Sequence, residues 1–204
     1  MFALRCLSAG LAICLMVLAE GATAAPAPSG LVIAVVQQAQ VNGQTGQRTL
    51  QPEAPVFSGD RIITGSIGEA QVRFRDNTKL VVGPSSTMII DAFVFNDDNS
   101  ARKISINAVR GAFRFFTGNS RKDAYSITTP TATIGVRGTI FDFNVDRAGT
   151  LRLVNFEGAT RICDRTVDPA TKKPRCVETR QNCGLTVLRR NDKLQNITDR
   201  AERN

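Results

Sequence analysis

The chain has 204 residues, a formal net charge of +8 at pH 7, and neither histidine nor tryptophan. This length suits one good-sized hydrophobic core and is short for two large domains. The absence of histidine removes the commonest general base and metal ligand at neutral pH. We therefore predict a protein that is not an enzyme and that binds no metal or other cofactor.

The first 25 residues have the three-part layout of a secretory signal peptide. Arg5 supplies a positive start, residues 11–19 (LAICLMVLA) are apolar, and small residues precede Pro26. We predict cleavage near Ala25 and export, with no membrane span left in the mature chain. An uncleaved anchor is the alternative, but the apolar run is shorter than the ~20 residues that a spanning helix needs.

From residue 31 onward, apolar residues alternate at period two between turn signals, which predicts short β-strands. In chain order, these are residues 31–40, a short strand that ends before Gly65, a hairpin over 68–82, then 88–95, 103–107, 111–116, 125–128, 129–143, 150–156 and 184–188. Residues 44–56 are predicted as a loop or an edge strand. Residues 189–204 form a polar tail, predicted as a frayed helix or a segment without fixed structure.

The stretch from Thr129 to Phe143 carries the clearest strand signal. Residues 134 and 136 fall on one face, Gly138 interrupts, and the alternation resumes at residues 141, 143 and 145. A glycine inside such a run marks a bulge or a close approach of two backbones. We place this stretch at the centre of an all-β domain that covers residues 26–188.

Repeated short strands leave three architectures open for this domain. Ala70, Ala92 and Ala112 each open a predicted strand, at intervals of about twenty residues. This spacing is compatible with a β-roll, a short β-helix-like fold or a sandwich of short strands and hairpins. No segment before residue 160 has helical periodicity, so a parallel sheet with crossover helices is not expected.

The positive charge is spread along the strands. The basic residues at predicted outward positions are Arg73, Arg75, Lys79, Arg102, Lys103 and Arg114. This spacing is typical of a solvated face, and export argues against DNA or RNA as the partner.

Five short motifs follow one another in a fixed order. They are Ser58-Gly59-Asp60 with Ile62 and Thr64-Gly65, the hairpin from Gly68 to Pro84, Val109 to Phe113, Thr129 to Phe141, and Glu157-Gly158. Together, over residues 31–162, they resemble the FecR-type domain of bacterial envelope proteins. The resemblance implies an all-β domain in the periplasm of a Gram-negative bacterium, or secreted from it.

The best-known members of that family carry a cytoplasmic anti-sigma segment and a transmembrane helix, and they receive a signal from an outer-membrane transporter. Here an export signal stands in place of the cytoplasmic segment, so that regulation is not carried over. The expectation is an exported binding or signalling module whose partner is an envelope protein, such as an outer-membrane transporter or a membrane regulator. The alternative is an envelope-structural or anionic-glycan-binding protein, because the net charge is positive.

The candidate motif residues each have two interpretations. Gly59 and Asp60 form either a contact site or a turn whose Asp oxygen accepts backbone N–H groups, and we favour the turn. In Arg137-Gly138-Thr139, either Arg137 and the Thr139 hydroxyl contact a ligand or partner, or the motif is architectural. In the architectural interpretation, Gly138 permits an unusual backbone conformation and Arg137 bridges to a carboxylate such as Asp142 or Glu157.

The remaining candidates are turns. Glu157 and Gly158 are predicted to close a strand. Asp97 and Asp98 lack the spacing of a calcium loop and are better interpreted as a hairpin tip. No carboxylate pair stands out for glycoside hydrolysis.

Three cysteines, Cys163, Cys176 and Cys183, remain after the leader. In an exported chain they suggest one disulfide and one spare thiol, with three possible pairings. We favour Cys163–Cys176 because these two flank a polar loop that a bridge would close. Cys183 is then the spare thiol or the alternative partner.

Overall fold

The computed structural model describes residues 26–44, 46–96, 98–180, 184–189 and 195–196. The predicted signal peptide, Asp97, Cys183 and most of the polar tail lie outside the described residues. No helix in the described part of the chain is long and apolar enough to cross a membrane. The protein is all-β, as predicted, with a single short 3₁₀ turn at Lys122–Ala124 among the described segments.

Fifteen strands are present in these segments, all in one sheet. They are β1 (Gly30–Val36), β2 (Ala39–Gly43), β3 (Gly46–Thr49), β4 (Pro55–Val56), β5 (Arg61–Thr64), β6 (Glu69–Phe74), β7 (Lys79–Val82), β8 (Thr87–Phe95), β9 (Ala101–Phe116), β10 (Tyr125–Thr128), β11 (Ala132–Val145), β12 (Leu151–Val167), β13 (Pro174–Arg180), β14 (Gly184–Leu188) and β15 (Gln195–Asn196). Every pairing among them is antiparallel except β9 with β10.

Three long strands, β9, β11 and β12, change neighbours halfway along. The first half of β9 pairs with β8 and β10, and its second half pairs with β7 and β11. The first half of β12 pairs with β14, and its second half pairs with β13. The sheet is therefore folded over itself into two layers that share these strands. Of the predicted architectures, the roll or sandwich fits this pairing and a helix of parallel coils does not.

The two layers have the following strand orders. The first layer is β3-β2-β5-β8-β9-β10-β11-β12-β13, and the second layer is β4-β1-β6-β7-β9-β11-β12-β14-β15. Buried apolar side chains from both layers form one core. Between the layers, the Phe74 ring of β6 stacks on Phe93 of β8 at 4.1 Å, and Phe115 of β9 meets Tyr125 of β10 edge-on at 5.9 Å.

A glycine with positive φ lies at the midpoint of each long strand: Gly111 (φ 111°), Gly138 (φ 68°) and Gly158 (φ 71°). Each adds one residue to its strand, so the inward-facing positions change parity there. The inward positions are 104, 106, 108 then 113, 115 in β9; 132, 134, 136 then 141, 143, 145 in β11; and 151, 153, 155 then 160, 162, 164 in β12. Of the two features predicted at Gly138, a bulge or a close approach of two backbones, the structure has both.

Several predicted boundaries are wrong for the same reason. Residues 103–107 and 111–116 are one strand, β9, because the bulge at Gly111 breaks the alternation without ending the strand. The strand predicted at 150–156 likewise continues through Gly158 to Val167. Ala92 and Ala112 lie inside β8 and β9 rather than opening them.

The two ends of the domain also differ from prediction. Residues 31–40 contain two strands, separated at Gln37, which has a φ of 58°. Residues 46–49 form the edge strand β3, one of the two predicted alternatives. In the polar tail, Gln195 and Asn196 pair with β14.

Candidate functional site

Gly59 and Asp60 lie in a turn before β5. Gly59 has a φ of 90°. The buried Asp60 carboxylate accepts the backbone N–H of Phe57 at 2.9 Å and a hydrogen bond from Arg48 of β3 at 2.6 Å. These contacts attach the β2–β3 hairpin to the turn before β5, and Asp60 as a whole is 1 % exposed.

The Arg137-Gly138-Thr139 motif does not present its polar groups together. Thr139 is only 2 % exposed, whereas the Arg137 side chain is 57 % exposed. The Thr139 N–H donates to the Thr117 hydroxyl at 2.8 Å, and its carbonyl accepts the Thr117 N–H at 3.1 Å. In the structure, Arg137 does lie near a carboxylate, but that carboxylate is Glu178, at 3.8 Å, rather than Asp142 or Glu157, and Asp142 pairs with Arg114.

Gly138 and Gly158 face each other in the paired strands β11 and β12. A Cβ atom added to Gly158 would overlap the carbonyl oxygen of Gly138. Glu157-Gly158 is therefore a second bulge opposed to the first, and not the end of a strand. The motif residues 137–139 and 157–158 form one close backbone crossing whose geometry supports an architectural role.

The predicted disulfide Cys163–Cys176 is confirmed, with the two Cα atoms 4.0 Å apart. It joins directly paired residues of β12 and β13. Beside it, Arg175 contacts Asp164 at 3.1 Å. Burial opposes ionisation of Asp164, but hydrogen bonds from Thr166 and Arg175 outweigh it and lower the pKa of this carboxyl.

Asp98 lies at the hairpin tip and accepts hydrogen bonds from the Ser100 N–H at 2.9 Å and its hydroxyl at 2.6 Å. Asp97, the other aspartate of the predicted hairpin tip, is outside the described residues. No group of side chains suited to holding a metal ion occurs among the residues that the structure describes.

A buried network centred on Asp76 has no sequence motif that predicts it as a whole. Its carboxylate accepts hydrogen bonds from Tyr125 at 2.7 Å, Ser120 at 2.7 Å and Thr78 at 2.8 Å. Burial raises the pKa of the Tyr125 hydroxyl. The network joins the β6–β7 turn to the connection between β9 and β10. From the sequence, only the turn formed by Asp76 and Thr78 can be recognised, because Tyr125 is 49 positions further along the chain.

A groove with a volume of about 640 Å³ lies on the outward face of the second layer. It crosses β7, β9, β11, β12 and β14. Its floor consists of small or apolar residues: Val81, Gly83, Ala112, Val154 and Leu185. Gly83, directly after β7, lies opposite Ala112 of β9, and because both residues are small, they leave the depression between larger neighbours.

Charged residues form the walls of the groove. Arg114 and Asp142 are joined by two hydrogen bonds of 2.6 and 2.7 Å, and the Arg114 guanidinium lies 5.6 Å from the ring centre of Phe156. Hydrogen bonding and charge from Asp142 raise the pKa of Arg114, which stays cationic. The groove adjoins a second depression of about 330 Å³ that includes Arg110 and Arg147 and shares Pro84, Ala112 and Asn144 with it.

The outward face of the first layer differs in character. It carries a band of polar side chains, each next to at least one buried isoleucine in the sequence: Ser105, Asn107, Ser126, Thr128 and Thr133. Lys103 of β9 and Arg161 of β12, the strand next to β11, are also exposed. The protein therefore has one grooved, partly apolar face and one polar face.

Comparison with known proteins agrees with the resemblance in sequence. A family model described as FecR protein matches residues 60–161, half of the 204-residue chain. The chain belongs to the FecR family. The matched region contains the groove strands β7, β9 and β11 and most of β12, but not β14. No curated protein and no solved structure matches the chain.

Proposed function

We propose that this protein is an exported, non-enzymatic module that binds a protein partner in the periplasm or at the cell surface and relays an envelope signal through that contact. Membership of the FecR family supports a signalling or regulatory role. The signal-peptide pattern of the first 25 residues supports export. An outer-membrane transporter or a membrane regulator is the expected class of partner, on the basis of the family resemblance.

The groove on the second layer is the observation that carries this proposal. In antiparallel sheets with one face on the core, the other face is commonly polar and solvated. Here the outward face has a floor of apolar and small residues, framed by Arg114, Asp142 and Arg152. An apolar area with a polar rim is characteristic of a protein or ligand interface.

A second candidate function is binding to an anionic envelope glycan. The polar band on the first layer supports it, because hydroxyl and amide groups at Asn107, Ser126, Thr128 and Thr133 have no side-chain hydrogen bond within the described part of the chain. The neighbouring cations Lys103 and Arg161 would attract an anionic polymer.

The two candidates are separated by a pull-down from envelope extract with the tagged protein, washed at low and at high salt. Screening shortens to ~8 Å near physiological ionic strength, so charge-driven polymer binding declines with salt while a packed protein interface survives. We expect mass spectrometry to find a discrete protein retained at high salt. Recovery of salt-labile polysaccharide alone would contradict the proposed function and favour the second candidate.

A further inference from the structure

We propose that the groove on the second layer binds a linear segment of the partner protein that carries apolar side chains and ends in acidic residues. The apolar side chains lie over the floor formed by Val81, Ala112 and Val154, and the acidic end lies at Arg110 and Arg147. This inference rests on the proposed function, a protein partner, and adds the site and the chemistry of the segment it recognises.

The dimensions of the groove suit a short segment of chain. It spans five adjacent strands, β7 to β14, with four inter-strand spacings of about 4.8 Å, or roughly 19 Å in all. An extended chain covers this distance in about six residues. The floor is broad and shallow because Gly83 and Ala112 have little or no side chain. A Cβ atom on Gly83 would lie 3.0 Å from the Ala112 carbonyl oxygen, so the two backbones are already close.

The charges around the groove place the acidic end of the segment at one side of the floor, next to β9 and β11. In the middle, Arg114 and Asp142 neutralise each other. Arg152 is paired with Asp146 at 3.1 Å. The remaining carboxylate of the lining, Glu69, is on β6 at one side.

The second depression adjoins one side of the groove, next to Ala112 of β9 and Asn144 of β11. Arg110 and Arg147 are exposed there and form no ion pair within the described part of the chain, whereas Asp146, in the same depression, is the carboxylate that pairs with Arg152.

This arrangement favours an acidic end at the arginines and apolar residues along the floor. Guanidinium groups bind carboxylates with two parallel hydrogen bonds, which adds geometric selectivity to the attraction of charge. Opposite charge also increases the rate of encounter. A basic end would be repelled at the same place.

The test is fluorescence anisotropy of the purified full chain with a labelled peptide that alternates Leu and Ser and ends in Asp-Asp. The same peptide ending in Lys-Lys is the comparison. We expect the acidic peptide to bind at least about tenfold more tightly than the basic one. Equal affinity for the two peptides, or no binding of either, would overturn the inference.

Two pairs of variants locate the site. Ala112→Leu fills the floor and is expected to weaken binding by about tenfold, whereas Ala34→Leu, an equal change at an exposed position of β1 outside the groove, leaves it unchanged. The double variant Arg110→Glu/Arg147→Glu is expected to weaken acidic-peptide binding by about tenfold or more, and Arg102→Glu to have no effect. Thermal unfolding checks that each variant is folded.

The outcomes separate this inference from the proposed function. If Ala112→Leu and the double arginine variant bind the peptide and capture the envelope protein as the wild type does, the groove is not the site, and the proposed function stands. If no variant and no wild-type protein captures an envelope protein, the proposed function fails. If Ala112→Leu instead disrupts self-association in sedimentation, the groove is an interface between copies, and the inference is wrong.

Discussion

Tyr125 is the single tyrosine of the chain, and its hydroxyl donates to the buried carboxylate of Asp76 at 2.7 Å. Burial raises the pKa of this hydroxyl above its usual value, and the contact with Asp76 acts in the same direction. The folded protein therefore holds the phenolic proton where the unfolded chain, with a pKa of about 10, releases it. Above that pH, release of the proton favours unfolding.

We predict that the free energy of unfolding declines as pH rises above about 10 and that Tyr125→Phe has a smaller decline. Tyr125→Phe also lowers stability at neutral pH by about 1 kcal/mol, because Asp76 loses a hydrogen-bond donor. The tyrosinate absorbance of the folded protein reports this one group, since no other tyrosine contributes. An absorbance titration with a midpoint at about 10 would contradict the prediction.

Gly158 provides a second test at the scale of one residue. It has a φ of 71°, and a Cβ atom there would overlap the Gly138 carbonyl oxygen. We predict that Gly158→Ala lowers the free energy of unfolding by about 3 kcal/mol, from backbone strain and this overlap together. Urea unfolding measures the change.

The control is Gly46→Ala, which has a similar φ of 88° but open space around the added methyl group. Only strain acts there, so the expected loss is about 1 kcal/mol. Equal losses for the two variants would mean that the close crossing of β11 and β12 contributes nothing beyond the φ angle.

The two residues also show what the sequence predicts at this scale. A bulge at Gly138 was predictable because a glycine interrupts a regular alternation within one strand, and all the information is local. The Asp76–Tyr125 bond was not, because it joins residues from different segments that meet only after the sheet has folded. The groove could not be predicted for the same reason: Gly83 and Ala112 form part of its floor only because β7 and β9 are neighbours in the folded sheet.

At the scale of secondary-structure elements, β13 is joined to β12 by the Cys163–Cys176 disulfide as well as by strand pairing. Cys163 and Cys176 are separated by 13 positions and lie opposite each other in the β12–β13 hairpin. Closing a loop of this size stabilises a protein by about 3 kcal/mol in the chain-entropy model. We predict that reduction lowers the free energy of unfolding by about that amount and increases amide hydrogen exchange most in β13.

The double variant Cys163→Ser/Cys176→Ser is the matched control. It is expected to have the stability of the reduced wild type and to respond to no reductant. Peptide mapping under non-reducing conditions checks the pairing directly. A bridge from Cys183 to either partner would contradict it.

Prediction of the strands succeeded where the alternation is unbroken and failed at the bulges. The hairpin over residues 68–82 was predicted with its turn, since both strands are short and regular. β9 was predicted as two strands, because a bulge and a turn both break the period of two. A bulge differs from a turn in that the neighbouring strand continues to pair with the chain beyond it, and this pairing is known only from the tertiary structure.

At the scale of the whole molecule, the two layers share β9, β11 and β12, and one core lies between them. The sequence does not distinguish this architecture from the other two candidates, because a β-roll, a short β-helix-like fold and a sandwich all consist of short strands with alternating apolar residues. Sharing long strands has a consequence for stability: neither layer can unfold without breaking strands that continue into the other. We therefore expect one cooperative unfolding transition.

The matched variants for this prediction are Ile106→Ala in the first layer and Phe115→Ala in the second, both at fully or almost fully buried positions. Each is expected to lower the free energy of unfolding by about 3 kcal/mol and to shift one and the same urea transition. Ser105→Ala, at an outward position of β9, should change the free energy of unfolding by less than about 0.5 kcal/mol.

The unfolding curves followed by Tyr125 fluorescence and by far-ultraviolet circular dichroism should coincide, because Tyr125 packs against Phe115 across the layers. Separate transitions, with each variant affecting only one, would show that the layers fold independently despite the shared strands.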